Sequence, residues 1–92
     1  SFISLELVLE PALRVAAPGT QLVMLVKPQF EVGRENVGKG GIVRDPLARG
    51  AALEKILHVS RNAGLENLRT IESPITGTDG NVEFLLYGCW KG

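Results

Sequence analysis

Gly33, four residues, then Gly38-Lys39 has the spacing that opens a phosphate-binding loop. Glycines there let backbone N–H groups cradle phosphates, and the lysine meets the outer ones. A second candidate pair is Lys27, which closes the apolar run QLVMLV at 21–26, and Glu83, near the start of VEFLLYGCW at 82–90. Ligands of open α/β sheets bind at the carboxyl ends of strands, so a lysine just past such an end is placed for chemistry. A last strand running antiparallel beside the first would start at that same edge and bring Glu83 to face Lys27. A lysine works as a base only when burial or a neighbouring cation lowers its pKa. A nearby glutamate acts the other way, so Glu83 fits the role of orienting the amine. A structural ion pair satisfies the same pattern, and local pattern alone favours it.

The phosphate-loop reading fails on its context. Such a loop follows its strand directly and opens a helix with Lys-Ser or Lys-Thr, whose hydroxyl binds magnesium. Here Gly40 follows Lys39, six residues separate Val26 from Gly33, and IVRDP intervenes before a helix can begin at Pro46. A glycine-rich loop remains, and loops of this length in compact domains are commonly functional.

The elements that must position these residues follow from periodicity. Leu5, Val8, Leu9, Ala12, Leu13 and Ala16 recur at helical spacing, with Ser4 as N-cap and Pro11 as a kink or restart. Pro18-Gly19 ends that helix. QLVMLV lacks alternation, which predicts a strand buried on both faces of a parallel sheet. Residues 27–45 read as one long loop. Asp45-Pro46 opens a second helix whose core face is Leu53, Ile56 and Leu57, and Gly64 closes it. LENLRTIE at 65–72 and VEFLLYGCW at 82–90 read as strands joined by the turn residues 73–81. The predicted class is α/β, with a right-handed parallel crossover and an antiparallel last strand.

Composition bounds the rest. Ninety-two residues, zero formal net charge and 45% hydrophobic residues fit one small domain. No apolar run approaches the roughly 18 residues of a membrane span. The single Cys89 has no internal disulfide partner, which points to a reducing, cytoplasmic setting and a packing role. His58 has no ligand-spaced partner, and no metal site is expected. The apolar start, SFISLELVLE without an initiator methionine, reads as a chain cut within a domain.

SFISL, LVKPQFE, VGKGGIVRDP and SPITG followed by GNVEFLL, in this order and spacing, resemble the hemolysin-A-like (TlyA-type) family, which is similar to FtsJ-type ribosomal RNA 2′-O-methyltransferases. The resemblance covers essentially the whole chain. It implies the C-terminal part of a Rossmann-like methyltransferase domain, with a mixed sheet, that uses S-adenosylmethionine. The cofactor-binding half and a preceding S4-type RNA-binding domain would lie outside residues 1–92. It also implies a lysine–aspartate–lysine–glutamate set, of which the second lysine corresponds to Lys27 and the glutamate to Glu83. The aspartate would fall just before Ser1.

The implied reaction has Lys27 help to deprotonate a ribose 2′-hydroxyl, which attacks the cofactor's methyl group in line. The implied partner is ribosomal RNA or a ribosomal subunit, with no membrane. Arg34, Lys39 and Arg44 would meet RNA phosphates from the glycine-rich loop. The same three charges could instead be solvated or pair with Glu31, Glu35 and Asp45. The chain alone would be inactive, and its unpaired strand edge would favour self-association. Two rival readings are a membrane-active hemolysin and a non-catalytic RNA or protein interaction module. Against the first, the polar face of the 4–16 helix carries two glutamates and one arginine, whereas surface-seeking helices are usually basic there.

Overall fold

The computed structural model describes residues 3–77 and 80–92. The first helix, α1 (Leu5–Arg14), starts where Ser4 leaves its backbone extended and its hydroxyl accepts the Glu6 N–H at 3.0 Å. Helix α1 buries Leu9 and Leu13 and runs on past Pro11. Proline leaves the carbonyl four residues earlier unpaired. Leu7 and Pro11 lie on the exposed side of α1, which is where that loss is tolerated.

Strand β1 (Gln21–Val26) leads into a short helix α2 (Pro28–Glu31) and two 3₁₀ turns, Arg34–Asn36 and Lys39–Gly41. The 27–45 segment is therefore more structured than a loop. Helix α3 (Pro46–Asn62) opens as expected, with the Asp45 carboxylate accepting the Leu47 N–H at 3.0 Å and Pro46 in the first turn. It closes at Ala63 with Gly64 in the left-handed region at φ +102°. Its buried positions, Ala48, Ala52, Ile56 and Ser60, form one stripe at i,i+4 spacing. Small residues in that stripe let the helix lie close to the sheet.

Strands β2 (Leu65–Glu72) and β3 (Phe84–Trp90) complete a sheet of order β1-β3-β2. β3 is antiparallel to both neighbours, so the antiparallel last strand is as expected. The parallel pairing of a mixed sheet is not present among the described residues. β3 inserts between β1 and β2, which run the same way without touching. β3 also starts two residues later than the pattern 82–90 suggests. In β2 a bulge falls between Glu66 and Arg69, with Asn67 at φ 56°. Asn is among the few side chains that tolerate that conformation.

Val26, Ile56 and Leu86 are buried at the centre, with Met24, Leu53, Leu57, Leu68 and Phe84 around them. Each such side chain contributes about 1.5–3 kcal/mol by leaving water. A second cluster joins Leu9, Leu13 and Leu65 under Trp90. Cys89 is buried in β3 as a packing residue.

The expectation that β1 is buried on both faces is wrong. Leu22, Met24 and Val26 face the helices, whereas Val23 and Leu25 remain 69% and 40% exposed. Among the described residues helices cover one face of the sheet, and Ile71 of β2 is likewise exposed beside β3.

Candidate functional site

The site begins with a local conflict. Lys27 ends β1 and Pro28 begins α2, and a proline disfavours helical backbone in the residue before it. Lys27 is accordingly extended, at φ −106° and ψ 103°, and prolongs the line of β1 by one residue. The last pair in the β1–β3 register is Val26 with Phe84. One further step sets Lys27 opposite Glu83, at the carboxyl end of β1 and the entry to β3.

Glu83 is 5% exposed. Its backbone carbonyl accepts the Ser73 N–H at 2.8 Å, and its carboxylate accepts the Gln29 side-chain N–H at 3.1 Å. Lys27 is half-buried, with Nζ 5.6 Å from the centre of the Phe30 ring. The structure thus brings the two residues to one corner of the sheet without joining them. The ion pairs among the described residues are Arg14–Glu10, Lys55–Glu6 and Lys55–Glu31.

Glu31 organises the ground behind Lys27, and sequence reasoning missed it. Its side chain is 2% exposed. It accepts the Ser4 hydroxyl at 2.5 Å, the Leu5 N–H at 2.8 Å and the Lys55 ammonium at 3.2 Å. Lys55 also donates to the Glu31 carbonyl at 3.0 Å. One carboxylate therefore ties the start of α1, the end of α2 and the middle of α3 together. A negative charge at a helix N-terminus is favourable because unpaired N–H groups converge there. The KPQFE string held no signal for this, since the partners lie 24–27 residues away in either direction.

The glycine-rich loop is fixed by one buried amide. Asn81 is fully buried; its carbonyl oxygen accepts the Val43 N–H and its nitrogen donates to the Gly41 carbonyl, both at 2.9 Å. Gly40 and Gly41 sit at φ 79° and 77°, where other residues are strained. The Gly38 N–H is bonded to the Ile42 carbonyl and the Gly41 N–H to the Gly38 carbonyl. Those amides close the turn on itself, unlike the open cradle of a phosphate loop.

Arg34, Lys39 and Arg44 are all exposed. Arg44 donates to the Lys39 carbonyl at 3.0 Å, and none of the three forms an ion pair among the described residues. The pairing with Glu31, Glu35 or Asp45 is therefore not observed: Glu31 is held by Lys55, and Asp45 caps α3. Tyr87 and Trp90 lie in β3, and His58 is exposed beside Asn62. Among the described residues no cluster of three or more His, Cys, Asp and Glu is placed to hold a metal. Nor is any helix among the described residues long and apolar enough to cross a membrane.

A groove of about 310 Å³ runs beside Lys27, lined by Ile3, Leu5, Val8, Leu25, Phe30 and Glu31. S-Adenosylmethionine would need a carboxylate for its ribose hydroxyls and a glycine turn against its carboxylate end. Glu31, the groove's one acid, is already held by three partners. The described residues do not form a cradle for that cofactor.

A three-stranded antiparallel sheet backed by helices, with Lys27 and the buried Glu83 at one strand end, is an α/β arrangement. The chain belongs to the FtsJ-like methyltransferase family, which matches it over residues 1–89. It is 49% identical over its full length to a Bacillus subtilis (strain 168) protein named "Putative rRNA methyltransferase YqxC". Over 87 residues, 95% of the chain, it is 40% identical to the Mycobacterium tuberculosis protein named 16S/23S rRNA (cytidine-2′-O)-methyltransferase TlyA. It covers 33% and 32% of these two proteins, so the chain spans about a third of the length of the curated relatives it matches. Over 71% of the chain, it is 40% identical to a Brachyspira hyodysenteriae protein named Hemolysin A. A solved structure described as a "putative hemolysin" from Lactococcus lactis superimposes with a TM-score of 0.87 at 43% identity, covering 97% of this chain and 42% of that one.

Proposed function

We propose that this chain is the C-terminal part of the catalytic domain of a cytoplasmic ribosomal RNA 2′-O-methyltransferase. In that reading the methyl donor is S-adenosylmethionine, held by residues outside 1–92, and the acceptor is a ribose 2′-hydroxyl. The observation that supports it is the corner where Lys27 and Glu83 stand opposite each other, with Gln29 bonded to the carboxylate. The name of the M. tuberculosis relative, a cytidine-2′-O-methyltransferase of ribosomal RNA, supports the choice of acceptor.

Lys27 orients the acceptor hydroxyl and takes up its proton; Glu83 holds the charge balance and direction of the amine. The exposed Arg34, Lys39 and Arg44 give the glycine loop a basic rim suited to phosphates. Removed from the rest of the domain, the chain is inactive. It self-associates through the unpaired side of β1 and the apolar face carrying Val23 and Leu25.

The experiment is methyl transfer from labelled S-adenosylmethionine to ribosomal RNA and assembled subunits, using the full-length polypeptide that carries this chain. Label should enter ribose with the parent protein and not with Lys27→Ala. Undiminished turnover by Lys27→Ala would remove Lys27 from the mechanism.

A further inference from the structure

Gln29 sits two residues after Lys27 and is bonded to Glu83. A carboxylate only accepts hydrogen bonds, so the amide must turn its nitrogen to Glu83 and its oxygen away. That oxygen, Oε1, is buried and has no hydrogen-bond partner. Buried polar atoms are nearly always paired, and an orphan calls for an explanation. The Lys27 ammonium, for its part, has three N–H donors, lies over the Phe30 ring and is in none of the ion pairs among the described residues.

From this juxtaposition we propose that Gln29 is a positioning residue, an uncharged spacer between the two charged ones. Its nitrogen fixes the Glu83 carboxylate, and its oxygen is the acceptor that receives the Lys27 amine when substrate fills the corner. The inference rests on the proposed role of Lys27 and deepens it. It accounts for a feature the pair otherwise lacks a reason for: Lys27 and Glu83 face each other yet do not form an ion pair. Direct contact with a carboxylate would favour the charged amine and weaken it as a base. The Gln29 nitrogen holds the Glu83 carboxylate instead, so the amine need not meet that carboxylate directly.

Two variants of the full-length polypeptide test this. Gln29→Met keeps the length and removes both polar atoms. Gln29→Glu keeps the shape and turns a negative charge toward Lys27. With ribosomal RNA as acceptor, kcat at neutral pH should fall about 10- to 100-fold in each, the scale of one hydrogen bond to a charged group. KM for the RNA should stay within about twofold, since binding is left to the loop. A base must be deprotonated to act, and in both variants a carboxylate comes closer to the amine. The rising limb of the kcat/KM–pH profile should therefore move to higher pH, further in Gln29→Glu. NMR titration of lysine-labelled protein reads the same movement at Lys27 without turnover.

An unchanged profile and kcat in either folded variant, alongside a dead Lys27→Ala, would overturn the role of Gln29 alone. Full activity in Lys27→Ala would overturn the site reading and this inference with it.

Discussion

Replacing Glu31 by alanine should be among the most damaging single changes in the chain, although it lies outside the proposed chemistry. Its carboxylate takes two short hydrogen bonds from the start of α1, at 2.5 and 2.8 Å, and an ammonium at 3.2 Å. A hydrogen bond to a charged acceptor is worth about 1.5–3 kcal/mol. The Lys55 contact counts for less than about 1 kcal/mol, because that side chain is 38% exposed and partly screened. Against these stands the cost of burying the carboxylate, which the variant recovers. Ser4 also keeps its own bond to the Glu6 N–H. The net loss is about 2–4 kcal/mol, a large part of the ~5–15 kcal/mol that stabilises an ordinary domain.

Thermal unfolding followed by circular dichroism is the assay. At about 4–8 °C per kcal/mol for a domain of this size, Tm should fall by about 10 °C or more. Glu31→Gln keeps one acceptor and should lose about half as much. Lys55→Ala also removes the bond to the Glu31 carbonyl, yet should lose less than Glu31→Ala, because the Ser4 and Leu5 bonds survive it. A Glu31→Ala variant within about 0.5 kcal/mol of the parent would refute the clamp. So would a Lys55→Ala variant that falls as far as Glu31→Ala, since that would place the stabilisation in the ion pair rather than in the helix start.

Two further outcomes concern the glycine loop. Asn81→Ala removes both bonds that anchor residues 41–43, and should cost about 1–3 kcal/mol and raise hydrogen exchange at the Val43 amide; unchanged exchange there would mean the loop holds its own shape. Lys39→Ala, in the full-length polypeptide, should make RNA binding less salt-dependent, the slope of log K against log salt shrinking by about 0.7–0.9 for a lost phosphate contact. An unchanged slope would leave Lys39 as a solvated charge.

What the sequence revealed and what it hid divides by the range of the interaction. The bounds of α3 were readable because Asp45-Pro46 and Gly64 act on their nearest neighbours. Strand β2 was readable over 65–72 for the same reason, though its bulge at Asn67 was not, because a bulge is a relation to the partner strand. The error over β1 has a related cause. An apolar run without alternation says that both faces suit a dry environment, not that both are covered. Val23 and Leu25 have that suitability and face outward where no helix lies over them.

The site shows the same division. The placing of Lys27 opposite Glu83 was legible because each lies at the end of a strand, and the register of two antiparallel strands relates their ends by simple counting; the chemistry proposed for the pair is a separate matter. Gln29, Glu31 and Asn81 were not legible, because each acts through a side-chain contact to residues 24 to 54 positions away. No local pattern encodes such a bond. These three residues share a property that periodicity does not report: each is a polar side chain, wholly or largely buried, whose partners belong to other elements. A polar group is expensive to bury without partners, so the bonds that Glu31 and Asn81 make, and the one from the Gln29 nitrogen, each favour one arrangement of the backbone around them. Glu31 does this for the start of α1, Asn81 for the glycine loop and Gln29 for the carboxylate of Glu83. Gln29 meets Glu83 directly and Glu31 anchors the elements behind Lys27, whereas Asn81 acts on the glycine loop. A substitution at any of the three should disturb the site while leaving its charged residues untouched.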